Sequence, residues 1–537
     1  MENTDSEKEF TTNVDVLVVG SGPVGATFAR IVADQVPTAR ILMVDAGPQL
    51  TARPGMHVKN IRDLEELNQA QIRSQGPTQF KYNAPSFAER ASAASKRGRE
   101  RLETLARPGT HLINPSDDDL DASDMPAAAA ATNVGGAGAH WTCACPRPGN
   151  IERVSFISQE EWEQACTKAE QLLKVTCDAF PESIAGFAIQ QTLGELYNPI
   201  LPEDLKVRAM PLAVQVREDG TLYWTGPDVI LGPLVESASE GNNRFELRAE
   251  TICRRLLIDG DHINGAELEH LPSGKRETVT ARIVVVAADS LRTPQLLWAS
   301  GIRPRALGHY INDHIFNMAG VALSEQILER ARSTLEAAGR LNESKRLSSE
   351  SIIGVFRVPL HAPEHPFHAQ VMHLDVSPIP VDRSQLRGDP RHIVGLGWIP
   401  LKEIRFEDYI EFSDTDTDYF GMPKMTIHYG FTEKDWAALE AARAEQRRAA
   451  AAFGQPLDTP QMMPPGTSLH YQGSMRMGEY DDGTSVCDSY SRVWGLQNLF
   501  IGGNGVIPTS TACNPTLTSV ALAVRAAEKL ATILQGT

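Results

Sequence analysis

The apolar, β-branched run Val14 to Gly20 (VDVLVVG) predicts a buried strand. The hexapeptide GSGPVG (Gly20 to Gly25) follows, then apolar positions at helical spacing from Ala26 to about Val36, then a second strand-like run, Ile41 to Asp45. Strand, glycine turn, helix and strand in that order predict a βαβ unit, the opening of a Rossmann-type α/β domain.

The pattern changes from about Arg62 to Met125. Charge, Ser and Gly dominate, the clusters SKRGRER and SDDDLD stand there, and apolar periodicity fades, which predicts an insertion or surface excursion. TNVGGAGAHWTCACP is then dense in glycine and marks close backbone approach. Phe245 to Ala288 alternates strands with turns and belongs with the nucleotide-type domain. Residues 310–465 hold the strand PKMTIHYGF and the helix DWAALEAARAEQRRAAAAF, carry no nucleotide signal, and make the second domain. The chain closes with a Gly-rich strand, NLFIGGNGVIP, and the helix NPTLTSVALAVRAAEKLATIL. No repeat or Ser/Pro linker separates these stretches, so the domains are expected to interleave. The expected partition is 1–61, 126–155, 205–309 and 466–537 for the nucleotide domain, 156–204 and 310–465 for the substrate domain, and 62–125 for the insertion.

Composition narrows the function classes. A chain of 537 residues exceeds what one core usually holds, so two domains are the prior. The formal charge of −17 argues against a nucleic-acid or anionic-membrane partner, since phosphate attracts a basic face. MENTDSEKEF lacks a basic n-region and an apolar core, no run is long enough to span a bilayer, and seven scattered cysteines do not form a disulfide framework. A cytoplasmic location is the expectation.

The glycines carry the first chemistry. Gly20 makes the tight turn, Gly22 lets the backbone approach a pyrophosphate, and Gly25 allows helix and strand to pack closely. Asp45, 20 residues beyond Gly25, stands where an acid accepts hydrogen bonds from ribose hydroxyls. Further Gly-rich segments recur at 132–142 and 500–505, so the cofactor draws on the whole chain, which favours FAD over NAD.

The C-terminal stretches SLHYQGSMRMG and SRVWGLQNLFIGGNGVIPTSTACNPTLTSVALAV resemble the glucose–methanol–choline oxidoreductases, and within them the pyranose oxidases and related bacterial glycoside 3-oxidases. TNVGGAGAHWTCACP, HPFHAQVMHLD and FSDTDTDYFGMPKMTIHYGF carry the same resemblance, leaving out roughly residues 62–125 and 326–350. It implies a Rossmann-type FAD-binding domain interleaved with an α+β substrate domain on a mostly antiparallel sheet. The implied activity is FAD-dependent oxidation of a pyranose or glycoside hydroxyl at carbon 2 or carbon 3, with oxygen or a quinone as electron acceptor. It assigns His470 as catalytic base and Asn514 as its partner across the substrate, and imidazole suits the task because its pKa lies near neutrality. It places Val24, Ala46, Thr132, Asn133, Gly135, Gly136, Trp141, Thr142, Ala288, Gly503, Asn504 and Thr516 about the cofactor, with Cys253 at the adenine through its backbone. His140 matches a histidine that pyranose oxidases bond to the flavin; a covalent link and simple packing both stay open here.

Two metal-like patterns are read as structural. Cys143 and Cys145 lack a second pair at zinc spacing, and His361, His365, His368 and His373 are interrupted by prolines, so no metal site is expected. The chain departs from the family at LDVSPIPVD, which lacks the aromatic residue of the fungal substrate loop, and at AADS (Ala287 to Ser290). A bulkier glycoside therefore competes with free glucose as substrate. A quinone-linked sugar dehydrogenase, an oxidase of a non-sugar alcohol and a catalytically silent FAD-binding protein are the rival readings. The oligomeric state is left open.

Overall fold

The computed structural model describes residues 12–63, 65–66, 70, 110–113, 124–180, 182–239, 244–340, 354–373, 392–418, 420–457 and 459–536. Two seven-stranded sheets organise these residues. In the first, strands Thr12–Val19, Ile41–Val44, Phe245–Arg248, Lys275–Val286 and Leu499–Ile501 run parallel to one another, with Thr12–Val19 central between Ile41–Val44 and Lys275–Val286. Thr251–Asp259 and His262–His270 extend the sheet as an antiparallel hairpin. Val16, Leu17 and Val18 are all buried, on both faces of the sheet, so this strand reads as a continuous apolar run rather than an alternation. Helices Pro23–Gln35 and Thr516–Gly536 pack together, and both join the apolar cluster of this sheet.

The second sheet is antiparallel throughout, with Asn317–Leu323, Ile393–Pro400, Phe367–His373 and Val355–Val358 side by side. One face carries Val321, Phe356, Ala369, Val371, Leu396 and Trp398 and buries them with helices Ile184–Tyr197, Glu325–Ala337 and Glu433–Phe453. The long helix Glu433–Phe453 begins with a capping box, Thr432 and Asp435 each bonding the other's backbone N–H. The opposite face carries polar and small residues: Arg357 lies directly across from Gln370, and Gln370 from Gly397.

The expected α/β architecture with an antiparallel second sheet is the one observed. The boundaries within it differ. Helix Gln159–Leu173, expected in the substrate domain, packs against Thr516–Gly536 and buries Trp162, Ala165, Cys166, Ala169 and Leu173 in the nucleotide-side core. The cause is its amphipathic stripe, which meets the apolar C-terminal helix. Arg208–Ala209, expected on the nucleotide side, is an edge strand of the second sheet. Tyr409–Thr417 and Pro423–His428 form their own ribbon, whose Ile410, Phe412, Met425 and Ile427 pack with Ala128, Ala130 and Tyr471 rather than on the second sheet. Thr110–Leu112, at the end of the expected insertion, pairs with Ala129–Ala131, and most of that insertion lies outside the described residues. No helix among the described residues is long and apolar enough to cross a membrane.

Candidate active site

One cavity is lined both by the end of the first sheet and by the loops that carry His470 and Asn514. One wall is the glycine turn. Gly20 has φ +103°, and a Cβ there would fall 2.3 Å from the Ala287 carbonyl oxygen, so only glycine fits where two parallel strands end together. Gly25 is also required, though not by the cavity: its Cβ would lie 2.0 Å from the Gly20 carbonyl oxygen. Gly22 caps helix Pro23–Gln35 without a side-chain bond, and no acidic residue stands in the first turn, so backbone N–H groups and the positive helix end face the cavity.

Ser21 ties three segments together at this wall. Its hydroxyl donates to Asp45 Oδ2 at 2.5 Å and accepts from Gly135 N at 2.8 Å. The Ser21 and Gly47 amides also donate to Asp45. Burial pushes the Asp45 pKa up, opposed by these hydrogen bonds. Val24, Ala46, Thr132, Gly136, Cys253, Ala288, Gly503 and Asn504 line the same cavity. Cys253 is there with its thiol turned to the Arg255 carbonyl, and burial raises the thiol pKa to about 12. Asn133, Gly135 and Gly25 do not line it. The Asn133 amide instead donates to the Val134 and Gly136 carbonyls and shapes the turn from behind, and Gly135 packs on Gly55.

His140, Trp141 and Thr142 also line the cavity, on a segment bonded by His57. Lys59 N donates to His57 Nδ1, so His57 Nε2 carries the proton and donates to the Trp141 carbonyl at 2.9 Å. Burial pushes the His57 pKa down to about 3 and keeps the ring neutral. Thr516 and Ser519, in the first turn of the C-terminal helix, face the same space.

His470 and Asn514 both line the cavity. His470 sits after Leu469, a non-glycine residue at φ +59°, in a loop pinned by a buried carboxylate. Gly466 N and Ser468 Oγ donate to Asp313, and His470 N donates to Ser468 Oγ at 2.9 Å. Its Nδ1 lies 3.0 Å from His314 Nδ1. The loop before Asn514 is clamped by Glu152, whose Oε1 accepts from Ala512 N at 2.6 Å and Cys513 N at 3.0 Å. Gln370, from the polar face of the second sheet, donates to Asn514 Oδ1. Arg357 beside it is buried, and burial pulls its pKa to about 10.

Two family models with the description GMC oxidoreductase match the chain, at residues 233–316 and 409–523. A C-glycoside 3-oxidase of Microbacterium trichothecenolyticum is 43% identical over 98% of both chains. A pyranose 2-oxidase of Tricholoma matsutake is 30% identical over 99% of this chain and 96% of its own. The chain belongs to the GMC oxidoreductase family. A solved structure of formate oxidase from Aspergillus oryzae shares the fold at a TM-score of 0.64 and 12% identity, covering 98% of this chain and 99% of that one.

The residues present fit FAD, the cofactor this GMC family implies. A Cβ on Gly22, Gly136 or Gly503 would meet nothing closer than 3.7 Å, so bare backbone borders open space at three points along the cavity. Two helix N-termini free of acidic residues open onto it, as an anionic dinucleotide requires.

Several residues that matter here escape a reading of the sequence. Glu152, Arg292 and His314 stand in no motif, and Ser21 and Gln370 stand inside GSGPVG and HPFHAQVMHLD at positions to which those motifs assign no role; Arg292, for instance, reaches Thr132 Oγ1 from 160 residues away. The signal that exists is weak: His314 and Asp313 stand in the compact polar string INDHIFN just after the nucleotide segment. Two of the histidines read as structural have other partners. His365 Nδ1 bonds the Pro359 carbonyl and its ring meets Tyr197, while His368 Nε2 faces Gln370. The stretch LDVSPIPVD lies outside the described residues.

Proposed function

We propose that this GMC oxidoreductase is an FAD-dependent oxidase that converts a ring secondary hydroxyl of a glycoside, at carbon 3, to a ketone, with oxygen as the electron acceptor. The observation that carries the reading is that His470 and Asn514, 44 residues apart, line the same cavity as Ser21 and Asp45. Neither residue is needed to grip a dinucleotide there, so their presence speaks for chemistry. The greater identity to C-glycoside 3-oxidase than to pyranose 2-oxidase, at full length, supports a glycoside and carbon 3.

FAD, when bound, supplies the hydride acceptor. The chain's own residues handle the proton and the oxygen. His470 takes the hydroxyl proton as general base. With Asn514 Oδ1 occupied by Gln370, its Nδ2 is the group presented to the substrate oxygen, and it stabilises that oxygen as it becomes a carbonyl. Glu152 keeps that amide in place through the backbone of Ala512 and Cys513.

The test is anaerobic mixing of the yellow holoenzyme with a C-glycoside, with an O-glycoside and with free glucose, followed by NMR of the products. Bleaching fastest with a glycoside, and a 3-keto product, support the reading. A 2-keto product from glucose moves it to carbon 2, and no bleaching with any sugar rejects it.

A further inference from the structure

His470 lines the cavity, and its Nδ1 meets a second imidazole. The Nδ1 atoms of His470 and His314 stand 3.0 Å apart, with the rings at 74°. Two imidazole nitrogens at that distance share one proton: one carries it and the other accepts. Which one does so decides whether His470 can be a base at Nε2, the ring's other nitrogen.

His314 is 5% exposed, and burial holds its pKa at about 3, so it stays neutral with a single N–H. Its other nitrogen, Nε2, meets the Gln472 side chain. The side-chain amide stands there with its nitrogen placed 3.3 Å away, and the Thr511 backbone carbonyl lies within hydrogen-bond reach of the ring. That amide touches Thr511 Oγ1 through both its nitrogen and its oxygen, at 2.9 and 3.0 Å. A half-turn of the amide therefore keeps the threonine bond and sets its oxygen on His314 Nε2. Gln472 then accepts from His314 Nε2–H, which leaves His314 Nδ1 with the lone pair that a base at His470 Nε2 requires.

We propose that His314 is a positioning residue that accepts a hydrogen bond from His470 Nδ1–H and so fixes His470 in the tautomer whose Nε2 is the base. Gln472 and Thr511 are the outer members of the chain. His314 steadies the imidazolium that forms when His470 takes the substrate proton, and it keeps the Nδ1 proton on His470 rather than receiving it. The titratable groups nearest the pair among the described residues are Asp313, on the same segment and bonded to Ser468, Tyr429, whose hydroxyl donates to the Asp313 carbonyl, and His368, from the second sheet. The inference rests on the reading of His470 as base.

The experiment uses holoenzyme labelled with 15N-histidine, the His470 ring being assigned by its loss in His470→Ala. Long-range proton–nitrogen spectra read the tautomer without turnover. The expected result is a protonated Nδ1 and an unprotonated Nε2 in the wild type, and a mixture of tautomers in His314→Leu. In stopped-flow reduction, His314→Leu is expected to lower the limiting rate at least about tenfold with little change in sugar affinity, and to move the acid limb of the pH profile to lower pH. His314→Asn, whose amide oxygen can occupy the Nδ1 position, is expected to restore most of the rate. An Nε2–H tautomer in the wild type overturns the proposal even if the leucine variant does not fold, and so does a leucine variant with wild-type tautomer and rate. Failure of the underlying reading looks different: His470→Ala would then reduce at the wild-type rate whatever the spectra show.

Discussion

Around the dinucleotide wall the chain offers bare backbone, whereas at the substrate end it offers side chains. Gly20, Gly22 and Gly25 are contiguous in sequence and act through what they lack, a Cβ. His470, Asn514, His314, Gln370 and Glu152 come from five separate segments and act through what they carry. A backbone cradle needs only a short motif and a helix end, so it is robust and says little about the substrate. A side-chain cluster is specific, and each member depends on a buried supporter such as Asp313 or Glu152.

If the two regions are separable, damage to one should leave the other working. The largest effect is expected from His470→Ala: flavin reduction by sugar slows by at least about a hundredfold while the bound-flavin spectrum is kept. Loss of flavin along with activity would break the comparison. Asn514→Ala should slow reduction less, by about tenfold, because one hydrogen bond goes and the base remains.

The glycines test the other side. Gly22→Ala places a Cβ in open space, so the apoprotein should melt as the wild type does while flavin affinity falls by at least about tenfold, measured by titration of fluorescence quenching. Gly25→Ala places its Cβ against the Gly20 carbonyl and should lower the melting temperature of the apoprotein itself. Equal effects from the two would mean that packing and cofactor approach are not divided between them.

Acid should weaken both regions alike. His57 in one and His314 in the other have folded pKa values near 3, and His365 near 4, below the ordinary 6.5. Below about pH 6.5 the unfolded chain takes up protons that these buried rings refuse, so their stabilisation is present above that pH and is lost as pH falls. Each contributes a slope of up to about 1.4 kcal/mol per pH unit. Asp313, raised to about 6, works the other way: the folded state holds its proton between about 4 and 6 and gains stability as pH falls. Burial raises Asp45, Glu152 and Asp228 in the same sense as Asp313, so the histidine share is read by difference: between pH 7 and 5 the melting temperature of His365→Phe should fall less than that of the wild type. An equal fall in both would remove the account of neutral buried histidines.

The smallest effect on function is expected at His140. With the covalent link as the working proposal, acid precipitation leaves the yellow colour in the pellet and His140→Ala releases it. Colour wholly in the supernatant of the native protein replaces the link by a packing contact and leaves the proposed activity untouched.

The sequence by itself determined the βαβ opening, because a buried parallel strand, a glycine turn and an amphipathic helix are local patterns. It also specified the roles of Gly20 and Gly25, which follow from steric limits on contiguous backbone. Through its likeness to a family it named His470 and Asn514. What only the tertiary structure decided lies between segments far apart in the chain. Helix Gln159–Leu173 joined the nucleotide side because its apolar stripe found the C-terminal helix, a choice that no periodicity within the helix records. Asn133 and Gly135 went behind the cavity rather than into it, since a Gly-rich turn spends some residues on its own shape. Ser21, His314 and Gln370 acquired their tasks only through partners 24, 156 and 144 residues away, and a hydrogen bond over that separation leaves no trace in either residue's neighbours along the chain.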